Sequence, residues 1–169
     1  MKFTIYQASR QGGRKNNQDR VAYSYSRDAL LMVVADGMGG HMHGEIAAQI
    51  AVQVMTDQFQ KMAKPRLDDP MKFLDEATTL AHYTINDYAV DQDLLEIPHT
   101  TLVSAVIQDG AAYWAHVGDS RLYLFSDGSL IARTEDHTAV AQMARNGLIT
   151  EEEAGTHPER NRVSNCLGG

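Results

Sequence analysis

Apolar residues change their spacing several times along the chain, and each change predicts an element. Residues 2–9, KFTIYQAS, alternate loosely and predict a strand; the polar loop GGRKNNQD follows, and RVAYSYS alternates again. ALLMVVAD is a nearly continuous apolar run, the pattern of a strand buried on both faces. Past the glycines, GEIAAQIAVQVMTDQFQKMAK sets Ile46, Ala47, Ile50, Ala51, Val54, Met55 and Phe59 at helical spacing. Pro65 and Pro70 bracket a break, and MKFLDEATTLAHYTINDYAV predicts a second helix. Beyond Pro98 come the strand-like runs TTLVSAVIQ, AAYWAHVG, RLYLFS and SLIART. Their connections are Asp109-Gly110, Gly118-Asp119-Ser120 and Asp127-Gly128. Asp-Gly between alternating runs marks hairpins, so these runs predict an antiparallel meander. TAVAQMARNG predicts a short helix ended by Gly147, and the tail LITEEEAGTHPERNRVSNCLGG is polar and irregular. Strands, then two helices, then a run of strands indicates α+β layers rather than parallel βαβ units.

Composition narrows this picture. A chain of 169 residues, 43% hydrophobic and 22% charged, suits a single domain spanning residues 1–169. The formal charge of −7 argues against a nucleic-acid or anionic-membrane surface, which needs clustered Lys and Arg. Most of that charge is an acidic, solubilising surface, and part of it is what a carboxylate-rich metal site carries before its cations are counted. No apolar run approaches the ~18 residues of a membrane span, and MKFTIYQASR lacks a signal-peptide core. A single cysteine, Cys166, forms no internal disulfide framework and fits a reducing compartment, so the chain reads as cytoplasmic.

The chemistry concentrates where an apolar run ends on Asp36 and meets Gly37, Gly39 and Gly40. A strand-end carboxylate is held by the sheet behind it, and bare glycine backbone lets carbonyl oxygens approach a ligand. Carboxylate plus carbonyl is the ligand set of a hard cation such as Mg²⁺ or Mn²⁺. Asp19 is a second acid at a strand edge, brought to the same end of the sheet if the two strands pair antiparallel. Arg14 and Lys15 lie near it in sequence, and an arginine beside metals suits a phosphate. The blander readings are an Asp-Gly turn at Asp36 and surface histidines at His41 and His43. DGMGGHMHGE has neither the P-loop Lys-Ser/Thr nor G-x-G-x-x-G, which disfavours a nucleotide loop. Cys166 lacks the context of a thiol phosphatase, and Asp91 in DQDL follows no apolar strand, which disfavours an aspartyl-phosphate nucleophile.

Taken together the segments resemble the metal-dependent serine/threonine protein phosphatases, the PPM (type 2C) family, in its bacterial branch. GGRKNNQDR matches R-x-x-N-x-D, VVADGMGGHMHGEIAA matches D-G-x-G-G, TTLVSAVI matches the T-T segment, and WAHVGDSRLYLF matches G-D-S-R. TEDHT and GLITEEEAGTHPERNRVSNCLG match the stretch holding the bacterial flap, here about residues 141–162. The motifs keep the family's order along nearly the whole chain. The resemblance implies an antiparallel β-sandwich flanked by helix pairs, in αββα layers. It implies hydrolysis of phosphoserine and phosphothreonine in proteins by a metal-activated water at a binuclear Mn²⁺ or Mg²⁺ centre, without a phosphoenzyme. By position, Arg14 would bind substrate phosphate, Asp36 would bridge two metals, the Gly37 carbonyl would coordinate one, Asp19 would act mainly through coordinated water, and Asp119 would serve a third metal. Phosphoproteins opposing a Ser/Thr kinase would be the partners.

Three departures qualify the resemblance. Gln18 stands where some relatives have Glu. Met38 stands where animal relatives have a His proposed as general acid, which leaves the proton donor unassigned. The family's pattern also continues past Leu167-Gly168 with S-D-G and D-N segments whose aspartates complete the metal centre. Without them the sandwich is incomplete at its C-terminal end and its open sheet edges invite self-association. The alternative function is then a catalytically incomplete, phosphatase-like binding or regulatory module.

Overall fold

The structure is a computed structural model that describes residues 2–38 and 43–169. The strands are β1 (Asp19–Tyr25), β2 (Ala29–Met38), β3 (His99–Thr100), β4 (Leu102–Gln108), β5 (Ala111–Val117), β6 (Tyr123–Ser126) and β7 (Ser129–Arg133). The helices are α1 (Gly44–Met62), α2 (Pro70–Asp91), α3 (Ala139–Arg145) and α4 (Glu151–Thr156). One antiparallel sheet runs β1-β2-β4-β5, with short β3 beside the end of β2, and β6-β7 form a separate two-stranded ribbon. Among the described residues, β1 and β5 are left as the edges of this sheet.

Both long helices lie on one face of the sheet, α1 across β1, β2 and β3, and α2 across β4 and β5. Their inward faces are small: Ala47, Ala48 and Ala51 on α1 and Ala77 and Ala81 on α2 are almost fully buried. Alanine at these positions lets the helix backbones sit close to the strands. Larger side chains, Met55, Phe59, Phe73, Leu74 and Ile85, fill the layer between. Phe59 and Phe73 meet edge-on with 5.9 Å between ring centres. Asp69 caps α2 by accepting from the N–H groups of Met71 and Lys72, both at 3.0 Å, ahead of Pro70 in the first turn. Asp69→Ala should therefore cost about 1 kcal/mol, read as a lower urea midpoint with an unchanged m-value.

The architecture corrects four expectations. Residues 2–9 form no strand: they find no ladder partner among the described residues and are held by side chains instead, Phe3 against Tyr25 and Asn17 donating to Ser9. β2 is covered along its whole length on one face only. Ala29, Leu31, Val33 and Ala35 meet the helices, whereas Val34 on the opposite face is 40% exposed, as are Tyr23 and Tyr25 beside it (40% and 64%). Its apolar run therefore builds one helix-backed layer and a second that is buried at Leu30 and opens at Val34, and the described residues form no second sheet over it. The meander also breaks at Gly118–Ser120, since β5 and β6 do not pair. Finally, the tail is not wholly irregular. Thr150 and Glu153 form a reciprocal capping box that starts α4, a signal legible as Thr-x-x-Glu.

Candidate metal centre

β1 and β2 pair in an unbroken ladder from Tyr25 opposite Leu30 to Asp19 opposite Asp36. The two acids are therefore direct cross-strand neighbours at the open end of the sheet. Gln18 extends the contact by accepting the Gly37 N–H (3.3 Å), and the Asn17 side chain accepts the Asp19 N–H (3.0 Å). Gln18 itself turns to Glu45, donating at 3.2 Å.

Gly37 is where helix α1 meets the sheet. A β-carbon there would lie 2.3 Å from the Gly44 carbonyl oxygen and 2.9 Å from that of Gln18. The first turn of α1 thus stacks directly on the backbone beside Asp36, which only glycine permits. Gly39, Gly40 and His41, which complete the glycine turn and its candidate imidazole, lie outside the described residues. His43 takes the left-handed conformation (φ 79°) just before α1, with no side-chain cap.

Asp119 arrives from the Gly118–Ser120 connection, and this segment is held at several points. Gly118 donates to the His137 ring and accepts from the His137 N–H (2.9 Å), while Arg121 grips Asp136 through two bonds of 2.7 and 2.6 Å. Asp19, Asp36 and Asp119 line one cleft of about 790 Å³ with Arg10, Arg14, Lys15, Gly37, Met38 and Asn161. Arg14 is exposed, and its charge reaches Asp36. Asn161 was not expected from the sequence. It is carried there by the tail, which returns through the bridges Thr138 to Val163 and Thr100 to Leu167.

The electrostatics of the cleft follow from this crowding. Asp36 is pushed up to about 6, first by burial of its carboxyl and then by the charge and hydrogen bonding of Asp19, with Asp119 adding to it and Arg14 opposing. Each ionised carboxylate disfavours ionisation of the other, so the site favours a cation or, at lower pH, a proton. Among the described residues no three His, Cys, Asp or Glu side chains converge into a complete ligand set. Among the described residues the donors fit a hard divalent ion in type and fall short in number.

Residues 7–165 match the family model for protein phosphatase 2C. The chain belongs to the protein phosphatase 2C family. Its relatives include a type 2C protein phosphatase of Streptococcus pyogenes, 34% identical over 92% of this chain and 63% of that one. They also include serine/threonine protein phosphatase PstP of Mycobacterium tuberculosis, 35% identical over 92% of this chain and 29% of that one. Among solved structures, serine/threonine phosphatase Stp1 from Staphylococcus aureus superposes with a TM-score of 0.84 at 29% identity, covering 93% of this chain and 62% of that one. The PstP catalytic domain, solved with two manganese ions, gives a TM-score of 0.75 at 31% identity over 91% of this chain and 61% of that one. This type 2C chain thus spans somewhat under two thirds of the length of the first of its relatives. No helix among the described residues is long and apolar enough to cross a membrane.

Proposed function

We propose that residues 1–169 are the N-terminal two thirds of a type 2C phosphatase domain in a cytoplasmic protein that hydrolyses phosphoserine and phosphothreonine in proteins and opposes a Ser/Thr kinase. The observation that carries the reading is the cross-strand pair Asp19 and Asp36, set in one cleft with Asp119 and Arg14. Asp36, the Gly37 carbonyl and Asp19 would hold two Mn²⁺ or Mg²⁺ ions, and Asp119 a third. When bound, such ions lower the pKa of water and offset charge developing on a phosphoryl group. The chain's own part is orientation. Arg14 offers a planar fork to two phosphate oxygens, and Arg10 and Lys15 make the same wall attractive to an anion. Asp19, facing the ions beside Asp36, would orient water by accepting its proton in a hydrogen bond.

The test is Mn²⁺-dependent hydrolysis of p-nitrophenyl phosphate and of a phosphothreonine peptide by the full protein and by residues 1–169. Arg14→Ala should raise KM for the peptide by about 10- to 100-fold, the worth of a charged bidentate contact, with a smaller change in kcat. Turnover that is indifferent to Mn²⁺, Mg²⁺ and Arg14 would sink the reading.

The second reading is a binding module that retains the cleft without turnover. It is favoured by the short ligand set: two divalent ions bring more positive charge than Asp19 and Asp36 offset. The two readings part on a phosphopeptide that binds residues 1–169 and is not cleaved by the full protein. The open edges at β1 and β5 fit self-association of this chain, which sedimentation across a concentration series would detect.

A further inference from the structure

One buried side chain touches both acid-bearing segments. Val34 pairs with Val103 and Gly37 with Thr100, so Asp36 lies opposite Thr101. In an undistorted antiparallel ladder such a pair exchanges two main-chain bonds. Here only one is made: the Thr101 N–H donates to the Asp36 carbonyl at 2.9 Å. The Asp36 N–H donates instead to Thr101 Oγ1 at 3.2 Å, and the Thr101 carbonyl accepts the Thr100 hydroxyl at 2.9 Å. The threonine side chain has replaced its own carbonyl, and the strand is interrupted between β3 and β4 at that residue.

The same side chain reaches the other acid's segment. Thr101 Oγ1 is 2.7 Å from Ser120 Oγ, next to Asp119. Its methyl group lies 2.6 Å from where a β-carbon on Gly118 would be, which restricts that position to glycine at φ 103°. Thr101 is fully buried, so no water competes for its hydroxyl. One hydroxyl has one proton and two lone pairs, enough to accept from Asp36 and still bond Ser120 in either direction.

We propose that Thr101 is a positioning residue: its hydroxyl fixes the Asp36 backbone and the Gly118–Ser120 segment relative to one another, so that Asp36 and Asp119 take up divalent cations as a coupled pair. This rests on the reading of Asp36 and Asp119 as cation ligands. Thr101→Val keeps the shape and removes the hydroxyl. The Asp36 N–H can then return to the Thr101 carbonyl, which preserves the ladder while shifting Asp36. Thr101→Ser keeps the hydroxyl and loses only the methyl.

The experiment titrates Mn²⁺ into the metal-free full protein, followed by electron paramagnetic resonance of free Mn²⁺, for wild type, Thr101→Val, Thr101→Ser, Ser120→Ala, Thr101→Val with Ser120→Ala, and Asp119→Asn. Melting in EDTA runs alongside. Thr101→Val should weaken Mn²⁺ uptake by about tenfold, Thr101→Ser should recover most of it, and the double variant should be no weaker than Thr101→Val alone. A purely structural role would instead lower the EDTA melting temperature of Thr101→Val and Thr101→Ser alike. Unchanged Mn²⁺ affinity in Thr101→Val, or losses from Thr101→Val and Ser120→Ala that simply multiply, overturns the proposal. Mn²⁺ uptake that Asp119→Asn leaves untouched in full also overturns it, and identifies the underlying ligand reading as what failed.

Discussion

Gly37→Ala is expected to destabilise the chain by at least about 3 kcal/mol, the upper range of overpacking. The new β-carbon would lie 2.3 Å from the Gly44 carbonyl oxygen and 2.4 Å from its carbon, both main-chain atoms with no rotamer to change. Relief requires moving the start of α1 away from β2. That helix carries Ala47, Ala48 and Ala51, which are fully buried against the sheet, so the movement opens the core along with the turn. At this chain length the loss corresponds to a fall of roughly 6–12 °C in melting temperature. Gly155→Ala is the control. Nothing lies within 4 Å of its β-carbon, and alanine in a helix gains up to about 1 kcal/mol over glycine. Equal melting temperatures for Gly37→Ala and wild type would refute the close contact between α1 and β2.

Asp36→Asn is expected to act in opposite directions on stability and on activity. A carboxyl whose pKa rises from 3.8 to about 6 on folding holds its proton more tightly in the native chain. Its contribution to native stability is therefore lost as pH climbs from 3.8 to 6 and stays lost above that. The raw shift would correspond to about 3 kcal/mol, but the carboxylate is open to solvent on one side, and screening reduces this to about 1 kcal/mol. In the metal-free chain Asp36→Asn should raise the melting temperature by a few degrees at pH 7.5 and leave it unchanged near pH 4. In the full protein the same change should lower Mn²⁺-dependent turnover by at least about a thousandfold, because a ligand is lost and no charge replaces it. Mn²⁺ should raise the melting temperature of wild type more than that of the variant, since only the native site binds it. A variant that is destabilised in EDTA at pH 7.5 would show that Asp36 is a packing residue.

The helices were legible because their signal is long. Ile46, Ala47, Ile50, Ala51, Val54, Met55 and Phe59 keep one period over the length of α1, and the break before Pro70 marks the start of α2 to within one residue of the expected Met71. The facing of Asp19 and Asp36 was legible too, as a consequence of pairing two strands that each put an acid at one end. What failed depended on partners distant in sequence. KFTIYQAS alternates like a strand, yet a strand needs a neighbour with which to share its N–H and C=O groups, and alternation cannot say whether one is there. Gly118-Asp119-Ser120 looked like a tight hairpin turn. Thr101, His137 and Arg121 instead tie it down by contacts that no local pattern announces. Asn161 reaches the cleft only because Leu167 and Val163 bridge back to the body of the fold. Thr150 and Glu153, by contrast, carried a readable capping box.

The ladder between β1 and β2 has a consequence for which insertions and deletions the chain tolerates. Asp19 and Asp36 meet at one end of it, and the connection that sets their pairing, Ser26 to Asp28, is at the other, roughly 20 Å away. Surface loops ordinarily accept an added or missing residue at small cost. Here a single residue gained or lost that passes into the pairing moves one acid a step along the strand and turns it toward the opposite side. The short loop at Arg27, far from any phosphate, is thereby a length standard for the cleft, and viable length variants there would need a bulge to absorb the change before it reached Asp36.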